Sequence, residues 1–215
     1  IYKSEIQYNK ALDYFKKALE IQEETGEQAA AVTLSNIGSV YFLQNNLKAA
    51  YDNFTKADKL FEKTDNARGH ALLLNYLGEY FQKTNQLENA ILYYNKSLEK
   101  SKSIQDQYIS SLSEYNLGKL YYEKGNYQEA KTYSEKSLEL AKNIGVLDQT
   151  YHSEKLLSEI FEKLGNHEAS LFHFKNYITA RDSIINQENH EKFLRSEMNF
   201  EHQRSEEHTS ELQSH

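Results

Sequence analysis

Four dipeptides recur at an interval of forty residues: Ile37-Gly38, Leu77-Gly78, Leu117-Gly118 and Leu157-Ser158. Three residues after each small residue stands an aromatic: Tyr41, Phe81, Tyr121 or Phe161. Nine further on come Ala50, Ala90, Ala130 and Ser170, then four later Phe54, Tyr94, Ser134 and Phe174, and three beyond those Ala57, Ser97, Ser137 and Tyr177. A fixed period of this size marks a chain of stacked units, none of which can bury its apolar face alone.

Steps of three and four keep these residues on one face of a helix, and alternating large with small side chains lets two helices approach closely. Each unit therefore reads as a helical hairpin. Its turn falls on the column Asn45, Asn85, Gly125 and Gly165, the two residue types that most readily take the left-handed conformation closing a helix. Capping and helix-breaking residues collect between units, at Asp65-Asn66, Gln105-Asp106 and Asn143-Ile144-Gly145. Near the N-terminus, Ala11, Phe15 and Ala18 repeat the second half of a unit that Thr25-Gly26 ends, so its first helix is expected to precede Ile1. Helices are predicted over about 2–24, 28–43, 47–63, 68–83, 87–103, 107–123, 127–142, 147–163 and from 167 to beyond 190.

Composition agrees with an all-helical chain, since there is no Pro to break a helix and 17 Tyr supply large amphipathic rings. A net charge of −7 with alternating signs argues against a nucleic-acid surface, which needs clustered Lys and Arg. No stretch has the ~20 consecutive apolar residues of a membrane span. The start, Ile1-Tyr2-Lys3, has neither Met nor a signal-peptide run, so the chain is expected to begin within a longer protein. The absence of Cys excludes disulfide and thiolate chemistry.

The Leu-Gly pair, the aromatic, and the Ala-aromatic-Ala series at these offsets resemble the tetratricopeptide repeat, over residues 1 to about 180. The forty-residue unit is longer than the usual 34 of that family, and the Pro that commonly ends its repeats is missing. Ser134 stands where an aromatic is expected, with neighbouring Tyr133 a candidate to compensate; Ser158 stands where Gly is expected. The resemblance implies an all-α, right-handed superhelical solenoid. Its repeats would be 27–66, 67–106, 107–146 and 147–180, after the second helix of a truncated repeat at 1–25.

Stacked hairpins of this kind form a concave wall from their first helices. The resemblance places on that wall Ser35, Asn36, Ser39 and Phe42; Asn75, Glu79 and Gln82; Tyr115, Asn116, Lys119 and Tyr122; and His152, Lys155, Glu159 and Glu162. The implied partner is a protein or peptide. Asn36 and Asn116 share a repeat column and either clamp a peptide backbone through paired donor and acceptor or cap and solvate their helices. Phe42, Tyr115 and Tyr122 either supply contact area to a partner or pack between repeats. The mixed charges disfavour a dense basic clamp for an acidic peptide end.

Signals for chemistry are absent. His167 and His173 are six apart, which on a helix points them to different faces and away from a shared zinc ion. There is no phosphate loop, nucleophile elbow or HExxH. The expectation is no cofactor, no metal and no catalysis in this chain.

Residues 175–203 carry a sparse apolar stripe of Tyr177, Ile178, Ile184, Ile185, Phe193, Leu194 and Met198. From 181 to 203 this reads as either a capping helix for the solenoid or a signalling or coiled-coil helix. Tyr177-Ile178, Arg181-Asp182-Ser183 and Asn199-Phe200-Glu201 resemble the segment that joins repeats to a membrane span in bacterial tetratricopeptide sensor proteins. That resemblance implies an input domain, periplasmic, whose parent continues into a membrane helix and a histidine kinase, a LuxR-type regulator or a cyclase. The alternatives are a free-standing cytoplasmic scaffold or peptide receptor, or a non-catalytic part of a larger kinase or cyclase. The final RSEEHTSELQSH, residues 204–215, resembles the in-frame translation of a common short-read sequencing adapter over eleven consecutive residues. It is expected to be non-native, which removes one Arg and three Glu from the native balance and leaves His208 and His215 without a role.

Overall fold

The computed structural model describes residues 2–22 and 26–213, with side chains at 7–21 and 26–199. Among the described residues the chain is helical throughout, without a strand. The elements are α1 (Tyr2–Gln22), α2 (Glu27–Leu43), α3 (Leu47–Phe61), α4 (Ala67–Lys83), α5 (Leu87–Ser103), α6 (Gln107–Glu123), α7 (Tyr127–Asn143), α8 (Leu147–Lys163) and α9 (His167–Gln213). Described helix ends lie within two residues of those expected from the sequence, apart from the open-ended last one. Each helix packs on the next, and the first helices α2, α4, α6 and α8 also pack side by side.

The turns follow from backbone chemistry. Asn45, Asn85, Gly125 and Gly165 take left-handed φ of 60°, 59°, 79° and 73°. The same conformation closes the helices between units at Gln105 (56°) and Gly145 (72°). The N–H of the following residue then reaches back to a carbonyl five positions earlier, as Asn46 to Tyr41 at 2.8 Å, Gln86 to Phe81 at 2.8 Å and Asn126 to Tyr121 at 2.9 Å. Each such bond satisfies a carbonyl that the helix end would orphan. Asn46, Asn66, Asp106 and Asn166 accept from the backbone three residues ahead, capping the next helix.

Within a hairpin the small residue of the first helix seats the aromatic of the second. A Cβ added to Gly38 would lie 2.5 Å from the Phe54 ring, and one added to Gly78 2.4 Å from Tyr94. Ser134 takes that place in the third unit, buried and with its hydroxyl unpartnered. Tyr133 does not fill for the missing ring. It stacks on Tyr121 at 5.4 Å, as Tyr93 stacks on Phe81 at 5.0 Å in a unit that keeps its aromatic.

Polar groups also repeat inside the stack. Ser97 donates to the Ala71 carbonyl (2.7 Å) and Ser137 to that of Ser111 (2.8 Å); Ser113 and Ser153 of the following units meet them at 3.0 Å. The buried carboxylates of Glu114 and Glu154 accept from Lys102 (3.1 Å) and Lys142 (2.7 Å). His173 adds a second partner to Glu154 at 2.6 Å. Helix α9 begins as the second helix of the last hairpin and runs on unbroken through 181–203 and into 204–213. Its 47 residues span about 70 Å at 1.5 Å per residue.

Candidate functional site

The first helices lie one beside another, so residues forty apart project onto one wall. Between them runs a groove of about 580 Å³. Phe42 enters it from α2; Glu79, Gln82 and Lys83 from α4; Leu112, Tyr115, Asn116, Lys119 and Glu123 from α6; Gln149 and His152 from α8; and Tyr94 from behind, on α5.

Its floor is pre-ordered by hydrogen bonds. Tyr94 Oη donates to Gln82 Oε1 at 2.8 Å, and Gln82 Nε2 donates to Glu123 Oε2 at 2.6 Å, which ties α4 to α6. Burial pushes the Tyr94 hydroxyl far up, reinforced by the charges of Glu79 and Glu123, so it stays a neutral donor. Glu79 is the half-buried carboxylate of the floor. Burial raises its pKa, against a hydrogen bond from Asn116 and the charge of Lys119, which lower it. Lys83 Nζ sits over the Phe42 ring, 4.6 Å from its centroid. At the far end Tyr115 and His152 face each other at 5.8 Å, and His152 also meets Tyr151 at 4.9 Å. The His152 ring is open on one side, yet burial of the other lowers its pKa, with the Asp148 charge opposing, so the neutral ring is favoured.

The groove thus gathers seven residues expected on the wall: Phe42, Glu79, Gln82, Tyr115, Asn116, Lys119 and His152. The others lie elsewhere. Asn75 is fully buried, donating to Ser97 Oγ (2.6 Å) and Ser113 Oγ (2.9 Å). Ser35 is buried and Asn36 half-buried on α2; Ser39 is hydrogen-bonded to Tyr76. Tyr122 packs on Tyr127 at 5.7 Å, Lys155 pairs with Glu159 at 3.9 Å on the exposed face of α8, and Glu162 pairs with His167 at 3.0 Å. The matched pair of Asn36 and Asn116 differs in burial, Asn36 being half-buried and Asn116 buried. The Asn116 amide group donates to Asn75 Oδ1 (3.3 Å) and to Glu79, so its donors are spent inside the protein.

Five lining residues were not read from the sequence. Lys83 and Glu123 lie one helical turn beyond Glu79 and Lys119, and Leu112 is the repeat counterpart of His152; the forty-residue step and the four-residue step identify all three. Gln149, one turn before His152, is buried and donates to Ser137 Oγ at 3.1 Å. Tyr94 belongs to a second helix and reaches the groove only because Gly78 leaves room, which no column of first-helix residues reveals.

His167 and His173 bond different carboxylates, Glu162 and Glu154. Among the described residues no group of three or more His, Cys, Asp or Glu is placed to hold a metal ion, and no described helix is long and apolar enough to cross a membrane. His208 and His215 lie outside the described side chains.

Helical hairpins repeating every forty residues, stacked first helix against first helix, define an all-α superhelical solenoid of the tetratricopeptide type. The chain belongs to the family described as the MalT-like TPR region, whose model matches residues 1–179; such repeats are typically non-catalytic interaction modules. No curated protein matches the sequence significantly. Among solved structures it is similar to BtubC (BKLC) from P. vanneervenii, with 18% identity and a TM-score of 0.73 over 85% of this chain and 76% of that one. It is also similar to a Rap protein complexed with Competence and Sporulation Factor, at 18% identity and TM-score 0.73 over 82% of this chain and 50% of the other. The Rap conjugation gene regulator of the plasmid pLS20, in complex with the Phr* peptide, gives 17% identity and TM-score 0.72 over 84% and 50%. The chain spans about half the length of the two Rap structures.

Proposed function

We propose that this chain is a protein- or peptide-binding module that takes its partner in the groove between α2 and α8. The observation that carries this is convergence: successive first helices deliver an aromatic end, an opposite aromatic and imidazole end, and a floor of Glu79, Gln82, Asn116 and Lys119 between them. A largely polar groove with aromatic ends suits an extended segment whose side chains enter the ends while its polar groups meet Glu79 and Lys119 on the floor. Two structures of similar fold hold Competence and Sporulation Factor and the Phr* peptide, which supports the same reading here. The unit is then the input part of a larger bacterial signalling protein, with repeats at 27–66, 67–106, 107–146 and 147–180 and the segment 181–203 leading toward an output. Residues 204–215 are taken as a non-native, adapter-derived tail with no share in binding.

Probing an unbiased peptide array with the wild-type protein and with Lys119→Glu and Tyr115→Ala tests this. Both variants should lose the same subset of peptides, while Lys96→Glu on the opposite face retains them. Peptide signals indifferent to both groove substitutions rule the groove out. Glu79→Gln, which removes a carboxylate that burial disfavours, should be neutral or stabilising by up to about 1 kcal/mol at pH 7 while altering the captured set.

A further inference from the structure

In every inner unit the second helix is closed off by the next first helix. The positions that meet it are buried: Phe54 and Tyr94; Ala57, Ser97 and Ser137; Phe61, Ser101 and Ala141. On α9 the same columns hold Phe174, Tyr177 and Arg181. This face is uncovered, with Leu171, Phe174 and Ile185 exposed to 53%, 49% and 46%.

A further hairpin in the same register does not fit it. Inner units join through small residues: Ser97 lies on Ala71 and receives Ser113, and Ser137 lies on Ser111 and receives Ser153. The corresponding pair in the last unit is Tyr151 and Tyr177, whose rings stand 4.9 Å apart, with Phe174 5.7 Å from Tyr177. Rings occupy the space that a serine of the following helix takes elsewhere.

The pattern on α9 instead suits a second helix like itself. Leu171, Phe174, Ile178, Arg181 and Ile185 follow steps of three and four, the seam of a two-stranded coiled coil, in which one polar seam residue sets register. Turn a second copy antiparallel about the point midway between Ile178 and Arg181. Phe174 then faces Ile185 of the second copy, Ile178 faces its Arg181, and exposed Lys175 of each copy comes to exposed Asp182 of the other, whose in-chain partner is the neighbouring Arg181 at 2.9 Å. Opposite charges thus meet twice, as the self-complementarity of a two-fold interface requires. We propose that the end face of this solenoid is an interface between two copies of the chain, formed by antiparallel packing of α9 over residues 171–188.

Sedimentation of the full chain over concentrations from about 1 to 500 µM tests this at low salt. The expected result is a monomer–dimer equilibrium. Lys175→Asp or Asp182→Lys alone should weaken it about tenfold, because two ion pairs are lost and two repulsions created. The double reversal Lys175→Asp/Asp182→Lys should restore wild-type affinity, a rescue that a general folding defect cannot mimic. Phe174→Asp should leave a monomer with unchanged helicity. A chain monomeric throughout, a dimer indifferent to Phe174→Asp, or single reversals that the double variant does not rescue would each overturn the proposal.

Discussion

The seat of the hairpin aromatic permits a comparison between two chemically identical substitutions, Gly78→Ala and Gly118→Ala. Both glycines are in helix interiors, where Ala gains about 1 kcal/mol in helix propensity. They differ in what the new methyl meets. At position 78 it would lie 2.4 Å from two carbons of the Tyr94 ring and 3.0 Å from a third. That ring is fully buried and anchored through its hydroxyl to Gln82, so it cannot retreat. Overpacking of this kind costs about 3 kcal/mol at the upper end of its range, which leaves a net loss of about 2 kcal/mol after the propensity gain. At position 118 the nearest atom, at 2.5 Å, is the Ser134 hydroxyl, which has no hydrogen bond to lose and can rotate away. The remaining contacts, 3.2 Å to Ser134 N and 3.3 Å to the Ala130 carbonyl, are tight but tolerable. Gly118→Ala should therefore fall within about 1 kcal/mol of wild type.

Urea unfolding followed by helical circular dichroism should rank wild type close to Gly118→Ala and both well above Gly78→Ala. The corresponding drop in Tm for Gly78→Ala is about 4–8 °C for a chain of this size. The third unit also suggests the control. Tyr94→Ser imports the Gly118–Ser134 arrangement, and although it leaves a cavity, Gly78→Ala on that background should cost nothing, a coupling of about 2 kcal/mol. Equal costs of Gly78→Ala in the two backgrounds, or a larger cost at Gly118, would show that the close approach of ring and glycine is not what spaces the hairpin.

Gln105 holds φ 56° where other turns use Asn or Gly, so Gln105→Gly should raise stability by about 1 kcal/mol, read from the urea midpoint. Asn75→Ala removes the amide that joins Ser97, Ser113 and Asn116 and should cost about 2–3 kcal/mol. Peptide capture by the folded fraction of that variant should be unchanged, the opposite of Lys119→Glu. Bonds and charges from His173 and Lys142 hold the Glu154 carboxyl below its ordinary value of 4.5, outweighing burial, the largest single influence, which raises it. A depressed carboxylate pKa stabilises the fold above the unfolded-state value, and that contribution is lost as pH falls through the folded-state value. Glu154→Gln should therefore lie below wild type by about 1–3 kcal/mol at pH 7, with the gap closing below the ordinary glutamate range; a gap constant from pH 7 to pH 3 contradicts this.

The repeat was legible because every core contact in a stack recurs at a fixed offset, so a period in sequence is a period in space. Exposure along a column is less legible, because it depends on which residues the adjacent units present. The column Ser35, Asn75, Tyr115, Lys155 passes from buried through half-buried to exposed, and Asn75 is interior only because Ser97, Ser113 and Asn116 supply its partners. The family resemblance places all four on the wall. Yet the sequence also carries a finer signal of this kind. The column Leu34, Leu74, Glu114, Glu154 changes from apolar to acidic halfway along, and the residue twelve positions earlier changes from Glu62 to Lys102 and Lys142 at the same step. Each carboxylate arrives with its cation, as it must, since a buried charge without a partner costs several kcal/mol. Comparing units for paired changes, and not only for kept residues, therefore locates buried polar contacts that hydrophobic periodicity passes over.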